Sequence, residues 1–212
     1  MTEVYLRRLS RWQAEQQRDG VADVHVAAYR GAAGAEYRDR QSFLREFEQH
    51  VQQRDFDMVV ADTNGLVGCA YGHRIDRTGD WWSGFRGGLP PDIEELTASG
   101  RTFLLAELMV VPGLRRRGIA TRLAERLLAR LDTDLVVATV DRPDENGHAN
   151  AAARTLHTWG WSRLGEVGPP AVPTAGIGAG SGPHGGGRPG IGVGPGHHQT
   201  VTREVWIRRP PR

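Results

Sequence analysis

The chain has 212 residues, 39% of them hydrophobic, and a formal net charge of +2 at pH 7, which suits one globular domain with a decoration and leaves no charge excess to recommend a nucleic-acid partner. All 27 basic residues are arginine, so lysine chemistry is excluded and none of these cations can be neutralised near neutral pH. A lone cysteine, Cys69, excludes an internal disulfide; with no signal-peptide core and no apolar run of bilayer length, the chain is expected to be cytoplasmic, with no membrane partner.

In chain order, residues 21–29, then Phe43, Phe47 and Val51 at a spacing of four, predict two amphipathic helices. In DMVVADTNGLVGCAYGH two apolar runs flank Asn64 and Gly65, so residues 57–61 and 66–73 should form an antiparallel hairpin. Cys69 lies in the second run among glycine and apolar residues and reads as a packed thiol rather than a nucleophile. A polar, aromatic segment follows, DWWSGFRGGLPPDIEELTASG, and residues 102–111 read as a third strand stopped by Pro112.

A helix should then begin near Gly118, with Ile119, Leu123, Leu127, Leu128 and Leu131 on one face and Arg122, Arg126 and Arg130 forming a solvated stripe on another. The apolar run 135–140 predicts a strand buried on both sides, and residues 149–159 a short helix ending at Gly160. Strand, helix and strand in this order imply a parallel pair with a right-handed crossover.

Residues 174–198 are mostly glycine and proline, with too few large apolar groups to offset the entropy of ordering them, so they are expected to be a flexible insertion. Their adjacent His197 and His198 have no carboxylate or cysteine at ligand spacing, so no metal is expected. Structure resumes where Val201, Val205 and Ile207 alternate with Thr202, Glu204 and Trp206, the period of a closing strand. The predicted domain thus covers residues 1–173 and 199–212.

The stretch VVPGLRRRGIATRL sets three consecutive arginines and a glycine where a helix is about to start. Helix N-termini carry partial positive charge, so cations there call for an anion: a ligand, a nucleic-acid backbone, or plain solvent counter-ions. The Gly-Lys-Ser/Thr ending of a nucleotide-binding P-loop and the Gly-x-Gly pair of the dinucleotide fingerprint are both missing. NTPase and nicotinamide readings fall away.

Arg115-Arg116-Arg117-Gly118-Ile119-Ala120 fits Arg/Gln-x-x-Gly-x-Gly/Ala, and with AELMVVP before it and TLHTWGW after it the chain resembles the GNAT superfamily of acyl-CoA-dependent N-acetyltransferases. The likeness spans about residues 56–161. It implies a single α/β domain with a mixed, mostly antiparallel central sheet flanked by helices, acetyl-CoA as acyl donor, and a monomer or homodimer. Amides of Arg116, Arg117, Gly118, Ile119 and Ala120 would hold the coenzyme pyrophosphate, with arginine side chains, Arg115 included, reaching its outer phosphates. Main-chain groups of Leu108, Met109 and Val110 would pair with the pantetheine arm as with an added strand. Asn150 resembles the family's coenzyme-contacting asparagine; Asn146 competes for that place, and capping is an alternative for both.

Such a site transfers an acetyl group to the primary amine of a small-molecule acceptor by direct attack on the thioester, which needs a base for the amine and an acid for the thiolate. Glu107 is the candidate base; simple alternation puts it on one strand face with Leu105, Met109 and Val111, and a partly solvated salt link is the bland alternative. For the acid, counting back from Gly160-Trp161 reaches Leu156, which holds no proton to give, whereas counting forward from Asn150 reaches His157. One helical step turns a side chain by about 100°, so only one of them can face the thioester. Trp81 and Trp82, with Phe85 and the Pro90-Pro91 break, suit an acceptor pocket wall, one of the two being given over to packing. Asp92, Glu94 and Glu95 nearby would favour a cationic amine. Two other classes share parts of this pattern: a catalytically inactive acyl-CoA-binding sensor, which turnover would separate, and a nucleic-acid binder using the arginines, whose affinity would fall steeply with salt.

Overall fold

A computed structural model describes residues 3–29, 40–141, 151–168 and 202–210. Its elements are β1 (Tyr5–Leu9), α1 (Arg11–Gln16), α2 (Arg18–Tyr29), α3 (Arg40–Gln52), β2 (Asp57–Asp62), β3 (Leu66–Arg74), a 3-10 turn (Asp80–Trp82), α4 (Pro91–Ala98), β4 (Thr102–Val110), a second 3-10 turn (Pro112–Leu114), α5 (Ile119–Leu128), β5 (Leu135–Asp141), α6 (Ala151–Thr158), β6 (Ser162–Val167) and β7 (Arg203–Arg208). The seven strands form one sheet in the order β1-β2-β3-β4-β5-β7-β6. Every neighbouring pair is antiparallel except β4 and β5. The strand-helix-strand reading of β4, α5 and β5 thus gives the parallel pair that it implied.

Alternation along the strands divides the core between two sheet faces. Val59, Ala61, Phe103, Leu105, Val136 and Ala138 pack under Ile119, Leu123 and Leu127 of α5 and Leu156 of α6. On the other face Met58, Val60, Cys69, Tyr71 and Met109 meet Val21, Val24, Phe43, Phe47 and Val51 of α2 and α3. Farther along that face Leu104, Leu135, Val137 and Val205 meet Trp82 and Ile93. The predicted helical faces are those buried, and β5 is covered on both sides as its apolar run required.

Four elements were absent from the sequence reading. β1 and β6, YLRRL and SRLGEV, are the sheet's two edge strands, where one side of the ladder faces solvent and polar side chains are tolerated. The short helix α1 starts at a reciprocal cap, the Gln13 amide donating to Ser10 Oγ and the Ser10 amide to Gln13 Oε1. α4 opens with Pro91 inside the polar, aromatic segment to which no element was given. In β7, Glu204 and Trp206 are buried along with Val205, since the strand lies between β5 and β6 rather than closing the sheet at an edge. The insertion 174–198, His197, His198 and Val201 lie outside the described residues.

Between β3 and β4 the register slips by one: Tyr71 faces Glu107 and Gly72 faces Leu105, so Ala106 is an extra residue on β4. A β-carbon at Gly72 would stand 2.0 Å from the Leu104 carbonyl oxygen and 2.6 Å from the Phe103 ring, backbone and core that have nowhere to move. Gly72→Ala should therefore lower stability by about 3 kcal/mol, the upper part of the overpacking range, and a thermal melt against the parent chain checks it.

Candidate active site

The pairing of β4 with β5 runs only from Thr102↔Leu135 to Leu105↔Ala138. Beyond it β5 continues against β7 and β4 continues against β3. The two parallel strands therefore part at the Ala106 bulge, and the β5-facing edge of residues 106–110 has no strand partner among the described residues. Leu108, Met109 and Val110, the residues assigned to a pantetheine arm, all lie on this parted stretch. Unpaired strand edges bind extended ligands through main-chain hydrogen bonds.

The chain leaves β4 through the turn Pro112–Leu114 and enters α5 at Gly118. Arg116 has φ 62° and Gly118 φ 72°, both left-handed, and no side chain caps the first turn of α5. The amides of Leu114 and Arg115 donate to the Val111 and Pro112 carbonyls, whereas those from Arg116 into the helix start can meet an external acceptor, in a conformation suited to anions. A β-carbon on Gly118 would meet nothing within 4 Å, so the space before the helix is open. Arg116 and Arg117 are exposed and make no ion pair among the described residues. Ile119 is buried in the core and anchors the helix start, with Ala120 half-buried beside it. Phosphate-bearing ligands fit this geometry by charge, by donor supply and by room.

Arg115 is placed differently from its neighbours. Its Nε donates to the Val110 carbonyl at 3.1 Å and a terminal nitrogen donates to the Ala28 carbonyl in α2. Nothing in the sequence linked residues 28 and 115, which meet only through the fold.

Glu107 is 9% exposed, and Tyr29 Oη donates to its Oε2 at 3.2 Å. The bulge at Ala106 corrects the face expected for it. Leu105 packs under α5, whereas Glu107 stands opposite Tyr71 and on the side of Met109, toward α2 and α3. Burial pushes the Tyr71 phenol up, with the Glu107 charge adding to the effect, and acts in the same way on the Cys69 thiol. Both stay neutral through the physiological range, and Cys69 is the packed thiol expected.

Leu156 is 5% exposed and packs with Ile119 and Trp161, while His157 is exposed. Trp82, at 7%, is core: its Nε1 donates to Thr97 Oγ1 at 3.0 Å. Trp81 is half-buried, edge-on to Trp82 with ring centroids 4.6 Å apart, and belongs to the same apolar cluster as Ala106. Asn146 and Asn150 lie outside the described residues. The fold thus brings Glu107, the parted β4 edge and the loop 115–120 together, with Tyr29 as the neighbour that sequence reasoning missed. Among the described residues no group of three or more His, Cys, Asp and Glu could hold a metal, and no helix is long and apolar enough to cross a membrane.

The model of the acetyltransferase (GNAT) family matches residues 18–157. No curated protein matches by sequence. Solved structures with a similar fold include an acetyltransferase from Thermus thermophilus, at 12% identity and TM-score 0.54 over 98% of this chain and 97% of that one. An N-acetyltransferase from Staphylococcus aureus has 14% identity and TM-score 0.54, with 98% of each chain covered. The yncA protein of Salmonella typhimurium, solved with its cofactor acetyl-CoA, has 16% identity and TM-score 0.51 over 97% of this chain and 93% of that one.

Proposed function

Since the chain belongs to the acetyltransferase (GNAT) family, we propose that it is an acetyl-CoA-dependent N-acetyltransferase acting on the primary amine of a small molecule. The observation that carries this reading is the parting of β4 from β5 at Leu105 and Ala138, next to an uncapped, left-handed loop rich in arginine. Acetyl-CoA supplies the acyl group already activated as a thioester.

Amides from Arg116 to Ala120 hold the pyrophosphate, and the exposed guanidinium groups of Arg116 and Arg117 neutralise outer phosphates. The free edge at Leu108, Met109 and Val110 aligns the pantetheine arm and fixes the thioester beside Glu107. Glu107 takes the proton that keeps the acceptor amine from attacking, directly or through one water. The N–C bond then forms, the C–S bond breaks, and the proton lost from nitrogen on amide formation balances the one that the thiolate gains. Trp81, on the Ala106 side of the sheet, forms part of the acceptor wall, and Trp82 holds it from beneath.

With Leu156 in the core and His157 exposed, water or the acceptor's own ammonium protonates the thiolate. His157→Ala should accordingly leave kcat within about threefold and its pH profile unchanged, a far smaller effect than loss of an acid of the usual worth; a profile stripped of its basic limb would restore His157 as the acid. A panel of primary amines incubated with acetyl-CoA and followed by free-thiol release tests the activity as a whole. Binding without thiol release across the panel would point to a sensor. The chain has no lysine of its own to acetylate and blur that assay.

A further inference from the structure

Two hydrogen bonds converge on the last turn of α2 from opposite parts of the site. Tyr29, its final residue, donates from Oη to Glu107 Oε2 at 3.2 Å. Ala28, one residue earlier, gives its carbonyl to the guanidinium of Arg115, which also holds the Val110 carbonyl. A helix C-terminus leaves carbonyls without intrahelical partners and carries partial negative charge, so a cation is a favourable cap there. One guanidinium thus ties the end of α2 to the end of β4, just before the loop turns left-handed at Arg116.

We infer that Tyr29 and Arg115 are positioning residues for Glu107: Tyr29 stabilises its carboxylate, and Arg115 holds the helix turn that presents Tyr29. The inference rests on the reading of Glu107 as the base. It takes Arg115 away from the phosphates and gives it the task of coupling the coenzyme loop to the acceptor side of the site. A donor to a carboxylate favours its charged form, so Tyr29 keeps Glu107 ready to accept a proton at lower pH than burial alone would allow.

The other titratable groups toward Glu107 are Cys69 and Tyr71 on β3, His25 on α2, whose ring lies 4.6 Å from that of Tyr29, and Glu46 and His50 on α3 beside Tyr71. Cys69 and Tyr71 stay neutral over the range concerned. The test keeps His25, Glu46 and His50 unchanged and removes a single hydroxyl.

Tyr29→Phe preserves the ring. In carboxyl-labelled glutamate NMR, with the Glu107 resonance assigned by its disappearance in Glu107→Gln, the titration midpoint of Glu107 should rise by about one pH unit. The acid limb of kcat/KM should move with it, an about tenfold loss at a fixed pH on that limb, while acetyl-CoA affinity stays the same. Arg115→Ala should move the midpoint in the same direction by less, and should add nothing once Tyr29→Phe is present. An unmoved midpoint in Tyr29→Phe overturns the role of Tyr29, and additive shifts overturn that of Arg115. Should Tyr29→Phe fail to fold, Arg115→Ala decides alone, an unmoved midpoint there refuting the inference. Full turnover by Glu107→Gln would sink the reading of Glu107 as base, whereas the NMR midpoints test its bond to Tyr29 without any turnover.

Discussion

Glu107→Gln should lower kcat by about 10²- to 10⁴-fold, the contribution of a positioned general base, with the affinity for acetyl-CoA little altered. The substitution changes chemistry more than shape. A glutamine side chain fits the same volume and its amide oxygen can still accept from Tyr29 Oη, which now bonds to Glu107 Oε2. What it cannot do is take a proton. The coenzyme is read as held by the amides of the loop and by the free edge of β4, both main-chain features that the substitution leaves in place. Steady-state thiol release at saturating acetyl-CoA measures the effect, together with the loss of the acid limb of the pH profile. A variant within a few-fold of the parent, with its acid limb intact, would assign the base elsewhere.

Gly118→Val should weaken acetyl-CoA binding by about 100-fold or more, equal to about 2.7 kcal/mol, while the domain stays folded. Two causes act together. Gly118 has φ 72°, and a β-branched residue in that region is strained by about 1–3 kcal/mol. Its side chain would also stand in the open space before α5, where nothing of the chain comes within 4 Å of a β-carbon. That same openness protects the fold, since no internal clash is created. Gly118→Ala shares the backbone strain and projects less, so it should fall between parent and valine variant. Calorimetric titration of the three chains ranks them, and equal affinities would detach the loop from the coenzyme.

Legibility in the sequence followed the range of the interactions involved. Gly118 was readable as a helix start because the helical spacing of Ile119, Leu123 and Leu127 begins directly after it, and it is the residue preceding α5. The hairpin, the buried run of β5 and the apolar faces of α2, α3 and α5 were likewise written in local periodicity. The bulge at Ala106 was not, because one extra residue in an apolar strand leaves the composition unchanged and only the partner strand reveals it. It nevertheless decides which face Glu107 occupies. Tyr29 and Arg115 are separated in sequence by 78 residues from Glu107 and 87 residues from Ala28, respectively, and no local pattern encodes such meetings. Edge strands β1 and β6 were missed for a different reason: they are only partly buried, and arginine in both and glutamate in β6 interrupt the apolar signal.

On this reading acetyl-CoA occupies the gap between β4 and β5 together with the loop 115–120. Calorimetric titration of acetyl-CoA into the full chain tests it most directly, with dephospho-coenzyme and free pantetheine in parallel. One saturable site per chain is expected, tightest for acetyl-CoA, weaker when the outer phosphate is missing, and weakest for pantetheine alone. No saturable binding of acetyl-CoA by the folded chain, or equal binding of pantetheine without its phosphates, would contradict it.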